Sequence, residues 1–148
     1  MKKLGRKICV FLDASVCIAA TLSQTGGSFR LFKEARDSRI AIVTNKYALM
    51  EVELVLARKY SEYAEKFTGL AAWSGLIVGR NPSMSAVKIC LKLVNAEDAP
   101  ILAGAKRSRA DFLITLDRKH FLTQTARKKI GSFMPAVSPA ELFQEYWR

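Results

Sequence analysis

ICVFLD, residues 8–13, decides the fold. Its first five residues, Ile8 to Leu12, are apolar and β-leaning, and they run without alternation into Asp13. An apolar run this short and unbroken reads as a strand buried on both faces. The pattern returns late in the chain as FLITLD, residues 112–117, where Phe112 to Thr115 form the run and Asp117 follows one residue later.

Between and beyond these two runs, strand and helix signals alternate. Ile40 to Val43, Leu76 to Val78 and Pro135 to Val137 read as further strands. Helices are expected over Phe29 to Arg36, from an Asn45 cap to about Tyr60, from Ser61 to about Trp73, over Ser85 to Val94, Asp98 to Arg109, and Pro139 to Tyr146. Strands separated by helices imply βαβ units and a mostly parallel sheet covered on both faces. Ligands of such α/β folds bind beyond the carboxyl ends of the strands, where strand order reverses. Asp13 and Asp117 fall at that edge.

The chain has 148 residues, half of them hydrophobic, which suits one domain over residues 1–148. No apolar run is long enough to span a bilayer. Lys2, Lys3, Arg6 and Lys7 ahead of the apolar stretch Ile8 to Ala20 resemble a secretory signal. The charge of Asp13 at the centre of that stretch favours a first strand instead. Cys9, Cys17 and Cys90 have no paired or CxxC spacing, which argues against a disulfide framework or a zinc site and fits a reducing cytoplasm. A net charge of +11 should draw polyanions, nucleic acid foremost.

Two more acids join the candidates. Asp98 opens a helix continuing Ala99-Pro100-Ile101, and the helix after Asn45 carries Glu51 and Glu53. Each acid also has a plain structural reading, as a turn former or a helix cap. Glu51 has Tyr47, Leu54 and Val55 as helical neighbours, so it is expected on an apolar face, where a carboxylate needs a partner. Glu53 has Leu49, Leu56 and Ala57, so periodicity leaves both open. Carboxylates converging without histidine or cysteine describe a hard-cation site of the Mg²⁺ or Mn²⁺ kind. His120, the single histidine, reads as a packing or hydrogen-bonding residue. Trp73, Trp147, Tyr60 and Tyr63 read as core residues rather than base-stacking platforms.

The segments VFLDASV (10–16), MEVELVLARKY (50–60), EDAPILAGAKRSRADFLITLDRKHF (97–121) and SPAELF (138–143) resemble the PIN-domain family. The resemblance implies a three-layer α/β/α sandwich and a metal-dependent ribonuclease, in many members the VapC-type toxin of a toxin–antitoxin pair. By position, the family's acidic cluster falls on Asp13, Glu51, Asp98 and Asp117. The family's glutamate stands four residues before a Val-Leu pair, and Val55–Leu56 therefore selects Glu51. Asp111 matches a frequent family acid, while Ser15 and Thr115 match polar positions that support the ligands. Leu116 stands where many relatives have glycine, which should alter the loop's shape.

The implied cofactor is Mg²⁺ or Mn²⁺. The implied partners are RNA, a cognate antitoxin and a second copy of the chain, with no membrane. Arg118 and Lys119, beside Asp117, are the expected phosphate contacts, with Lys106, Arg107, Arg109, Arg127, Lys128 and Lys129 as further basic supply. Two other classes compete. One is a PIN fold with a dead site that only binds RNA, against which all four acids stand. The other is a phosphotransferase of the haloacid-dehalogenase type, whose D-x-D-x-T signature lacks its second acid in Asp13-Ala14-Ser15.

Overall fold

The computed structural model describes residues 7–147; Lys2, Lys3 and Arg6 of the basic leader lie outside that range. Five strands form one parallel sheet: β1 (Ile8–Leu12), β2 (Ile40–Thr44), β3 (Ile77–Val78), β4 (Phe112–Ile114) and β5 (Ala136–Val137). Their spatial order is β3-β2-β1-β4-β5. Val10, Phe11 and Leu12 of β1 pair with Phe112, Leu113 and Ile114 of β4. The chain thus builds outward from β1 on one side, then returns to build β4 and β5 on the other. The reversal lies between β1 and β4, where a binding crevice is expected.

Successive side chains of a strand point to opposite faces, which is why these strands read as unbroken apolar runs. Val10, Leu12, Ile42 and Ile114 face one layer of helices: α1 (Ala14–Leu22), α2 (Gly27–Arg36), α3 (Lys46–Lys59), α4 (Ala64–Ser74) and the C-terminal helical segment. Phe11, Val43 and Leu113 face the other: α5 (Met84–Cys90), α6 (Ala99–Arg107) and α7 (Gln124–Ile130). Phe11, Leu12, Leu113 and Ile114 are fully buried. Each large side chain buried this way contributes roughly 1.5–3 kcal/mol. The three-layer α/β/α sandwich is the architecture expected. Among the described residues no helix is long and apolar enough to cross a membrane.

Two helices were not foreseen. Ile8 to Ala20 divides at Asp13 into strand and helix, because the Asp13 carboxylate accepts the Ala14 N–H at 2.8 Å and caps α1. Helix α7 is polar along most of its length and starts from a Thr123 cap. The last expected helix is only one α-turn, α8 (Pro139–Glu141), continuing as a π-helical segment Leu142–Tyr146.

One buried side chain ties the two helical layers together. Asn45 caps α3 by accepting the Ala48 N–H at 3.1 Å, and its amide donates to Pro100 O of α6 at 3.2 Å. Gly104 of α6 lies against this amide, and a Cβ there would collide with Asn45 Nδ2. The tether therefore fixes the starts of the helices that carry Glu51 and follow Asp98.

Candidate metal centre

The β1/β4 reversal brings Asp13 and Asp117 to one edge of the sheet. Thr115, fully buried at the end of β4, joins them: its hydroxyl donates to Asp13 Oδ2 at 2.8 Å and accepts the Asp117 N–H at 3.0 Å. Ser15 adds a donor to Asp13 Oδ2 at 3.3 Å and accepts the Leu116 N–H at 3.1 Å. Ser15 and Thr115 thus link Asp13 to the Leu116–Asp117 loop. Burial raises the Asp13 pKa, against the pull of the Thr115, Ala14 and Ser15 donors, and the Asp117 charge raises it further.

Asp117 sits in a tight loop. Its Oδ1 accepts the N–H groups of Lys119 and His120 at 3.0 and 2.9 Å, and its Oδ2 meets His120 Nδ1 at 2.9 Å. Burial alone would raise its pKa, but the His120 and Lys119 donors outweigh that and hold it below the ordinary carboxylate range. His120 is half exposed, and its pKa is raised by the hydrogen bond to Asp117 and the charge of that carboxylate.

Asp98 holds the N-cap position of α6, yet it has α-helical backbone angles and makes no side-chain capping bond. Its Oδ2 is buried without a hydrogen-bond partner, the one such side-chain atom among the described residues. Desolvation, then the Asp13 charge, pushes its pKa up to about 6, against a smaller lowering by His120. Ligand atoms of Asp98, Asp117 and His120 lie within 4.8 Å of one another. His120 was read as a packing or hydrogen-bonding residue; its position on the surface removes packing, and the i,i+3 spacing Asp117–His120 within a turn was the signal that could have found it.

Glu51 departs from expectation. It is exposed, because α3 buries Ala48, Val52 and Leu56 while Tyr47 and Leu54 face outward with it. Its pKa is nevertheless raised, by desolvation first and then by Asp13, Asp98, Glu97 and Asp117 in that order. Glu97, not singled out in the sequence, belongs to the same field. The four acids share one electrostatic environment, with Asp98 and Asp117 at ligand-sharing distance.

Other expected residues lie elsewhere. Asp111 is at the opposite end of β4 from Asp117, where its carboxylate accepts the Cys9 N–H at 2.8 Å and its own N–H donates to Cys9 O at 2.7 Å. It staples β1 to β4 rather than supporting the acids. Arg118 and Lys119 are exposed beside Asp117. Arg127 is engaged in a bidentate pair with Glu141, 2.8 Å for each bond, and leaves the pool of free cations. Lys106 bonds Phe133 O at 3.1 Å. Cys17 lies buried near Asp13, and burial pushes its thiol well up.

A divalent ion fits this donor set. Asp98 Oδ2 is a desolvated oxygen with no proton donor, and burial of such an atom is costly until a cation or proton meets it. The surrounding donors are oxygens with one imidazole, and no thiolate.

The sequence profile described as PIN domain matches residues 9–119. No curated protein sequence matches the chain. Among solved structures, a chain of VapBC2 from Rickettsia felis, bound to a DNA fragment from the pair's promoter, is similar with a TM-score of 0.67 and 13% identity, covering 88% of this chain and 98% of that one. PAE2754 from Pyrobaculum aerophilum is similar with a TM-score of 0.61 and 12% identity, over 91% of this chain and 86% of that one. At these identities the likeness is one of fold.

Proposed function

Since this chain belongs to the PIN-domain family, we propose that it is a divalent-metal-dependent ribonuclease and the toxin of a toxin–antitoxin pair. The observation that carries the catalytic reading is Asp98 Oδ2, buried and unpartnered beside Asp117 at the point where strand order reverses. Family membership supports a nuclease; the acids and the basic surface support metal and RNA as its cofactor and substrate.

In this reading Asp13, Glu51, Asp98 and Asp117 hold Mg²⁺ or Mn²⁺. The bound ion supplies neutralisation of phosphate charge and a water acidic enough to act as nucleophile. The chain's own residues do the positioning. Thr115 and Ser15 fix the Asp13 carboxylate, and the loop amides of Lys119 and His120 fix Asp117. Such fixed orientation matters because ligands placed in advance need no reorganisation when substrate arrives. Arg118 and Lys119 flank Asp117 and engage the RNA backbone, a contact without sequence preference.

The fold shared with a chain of a VapBC pair supports extending the proposal to a cognate antitoxin and to a second copy of the chain as partners, in the cytoplasm. No observation favours a dead site, since none of the four acids is replaced. The phosphotransferase reading also gains nothing: Ser15, where a second acid would stand, is spent on Asp13 and Leu116.

The direct test is cleavage of labelled RNA by the purified chain with Mg²⁺, with Mn²⁺ and with EDTA. Asp13→Asn and Asp117→Asn should each abolish cleavage while keeping the wild-type circular dichroism spectrum. Full activity in EDTA overturns the metal mechanism.

A further inference from the structure

We infer that His120 is a nitrogen ligand of the divalent-ion site, beside Asp98 and Asp117, and that the site therefore favours Mn²⁺ over Mg²⁺. The inference rests on the metal-centre reading above and deepens it by naming the ion class.

Three observations carry it. First, ligand atoms of Asp98, Asp117 and His120 lie within 4.8 Å of one another. Donors about 2.1 Å from one ion stand roughly 3 Å apart when adjacent and roughly 4.2 Å apart when opposite, so a closing movement of about half an ångström brings this group onto one ion. The 2.9 Å separation of His120 Nδ1 and Asp117 Oδ2 has the length of such an adjacent edge. In the metal-free protein a proton occupies that edge, and an entering ion displaces it.

Second, the imidazole is held in place although it is half exposed. The His120 N–H is fixed on Asp117 Oδ1, and the N–H groups of Phe121 and Leu122 are fixed on Asp117 O at 3.2 and 3.1 Å. Phe121 is fully buried and anchors the loop into the core. A surface histidine pinned on both sides and turned toward two acids is not explained by packing.

Third, Asp98 Oδ2 is independently short of a partner. The residue that carries this oxygen is grouped with His120 and Asp117. Mg²⁺ prefers an all-oxygen shell and keeps its waters, whereas Mn²⁺, itself mainly an oxygen-binding ion and first in the Irving–Williams order, is larger and softer and accepts an imidazole nitrogen more readily than Mg²⁺ does. A site of carboxylates with one imidazole therefore gains more from Mn²⁺ than from Mg²⁺.

His120 is the single histidine of the chain, so any imidazole signal has one source. The experiment uses the full chain without a histidine tag, titrated with MnCl₂ or MgCl₂ by calorimetry and examined with Mn²⁺ by pulsed EPR. The expected result is a directly coupled ¹⁴N signal in the wild type that is absent in His120→Gln. Mn²⁺ affinity should fall about tenfold or more in that variant, while Mg²⁺ affinity changes by less than about threefold. Mn²⁺ that binds in the wild type, is lost in Asp98→Asn, and shows no ¹⁴N coupling overturns the inference and leaves the metal centre standing. Failure of the wild type to bind Mn²⁺, or binding unaffected by Asp98→Asn and Asp117→Asn, overturns both. The wild-type spectrum decides the matter even if His120→Gln folds poorly.

Discussion

The Thr115 hydroxyl donates to Asp13 Oδ2 at 2.8 Å across two neighbouring strands, linking residues 102 apart in sequence. The Thr115 Oγ1 also accepts the Asp117 N–H, so one buried hydroxyl sets both acids. Thr115→Val keeps the shape and removes both bonds. It should destabilise the fold by roughly 1–3 kcal/mol, the cost of buried polar groups left unpaired. It should also lower metal affinity and cleavage about 10- to 100-fold, the range for partners that orient ligands. Thr115→Ser should recover most of both. Urea unfolding and metal titration of the two variants check this, and a Val variant with wild-type metal affinity sinks it.

Asp98 makes stability depend on pH in the metal-free protein. Its folded pKa of about 6 lies above its ordinary 3.8, so the folded chain binds that proton more tightly than the unfolded chain does. The resulting stabilisation is complete below about pH 3.8 and is lost as pH rises through about 6. Asp98→Asn removes that dependence. In EDTA it should match wild type near pH 4 and exceed it at pH 7 by roughly 1 kcal/mol, a figure discounted for partial exposure. Added Mn²⁺ should raise the wild-type Tm more than the variant's, because binding only the folded state stabilises it. Thermal melts from pH 4 to 7, with and without metal, read both effects; equal curves for the two proteins would refute them.

Glu51 and Glu53 are both exposed, two residues apart on α3. The charges of Asp13, Asp98 and Asp117 act on Glu51. Glu51→Gln should reduce cleavage at least about tenfold, as loss of a group that supports a metal site does. Glu53→Gln should remain within about twofold of wild type, as a surface change away from the site. Neither should lower Tm much. Parallel rate measurements decide it, and the reverse order would assign the helix's role to Glu53.

Gly104→Ala should disturb the centre without touching an acid. The added methyl group meets the Asn45 amide, which must move and give up its bond to Pro100 or its cap on α3. A loss of about 1–3 kcal/mol is expected from overpacking a buried contact. Asn45→Ser keeps a capping oxygen but not the reach to Pro100. Since both substitutions break one tether, their effects should add to less than the sum. A strictly additive double mutant would show that the glycine and Asn45 are independent.

Much of this was legible before any coordinates. Asp13 and Asp117 were visible because apolar runs end at them, and a parallel sheet must present those ends on one edge. Helix α1 was hidden because ASVCIAATL is apolar on nearly every side and continues the strand without a break in hydrophobicity. Helix α7 was hidden for the opposite reason, since QTARKKI buries only Ile130. Asp98 could be a cap or a ligand from sequence alone; in the fold it holds the N-cap position, yet its side chain makes no capping bond and its Oδ2 has no partner. Glu51 was placed on the wrong face because Tyr47 and Leu54 are apolar yet exposed, so hydrophobicity misreported which stripe is buried. His120 was passed over because a single histidine carries no pattern, and only the folded loop brings it to Asp117.

On the proposed nuclease reading, the insertion of β4 beside β1 has a consequence for when activity can first appear. Domains acquire their long-range contacts late, and synthesis proceeds from the N-terminus. A ribosome that has made β1 through α6 has produced Asp13, Glu51 and Asp98, but neither Thr115 nor Asp117, and β1 still lacks its central neighbour. A chain that stops before β4 therefore lacks Asp117 and the Thr115 bond to Asp13, two parts of the proposed centre. The proposed centre is therefore complete only once residues 112–117 have been made and paired, which leaves an interval in which a partner can meet the nascent chain.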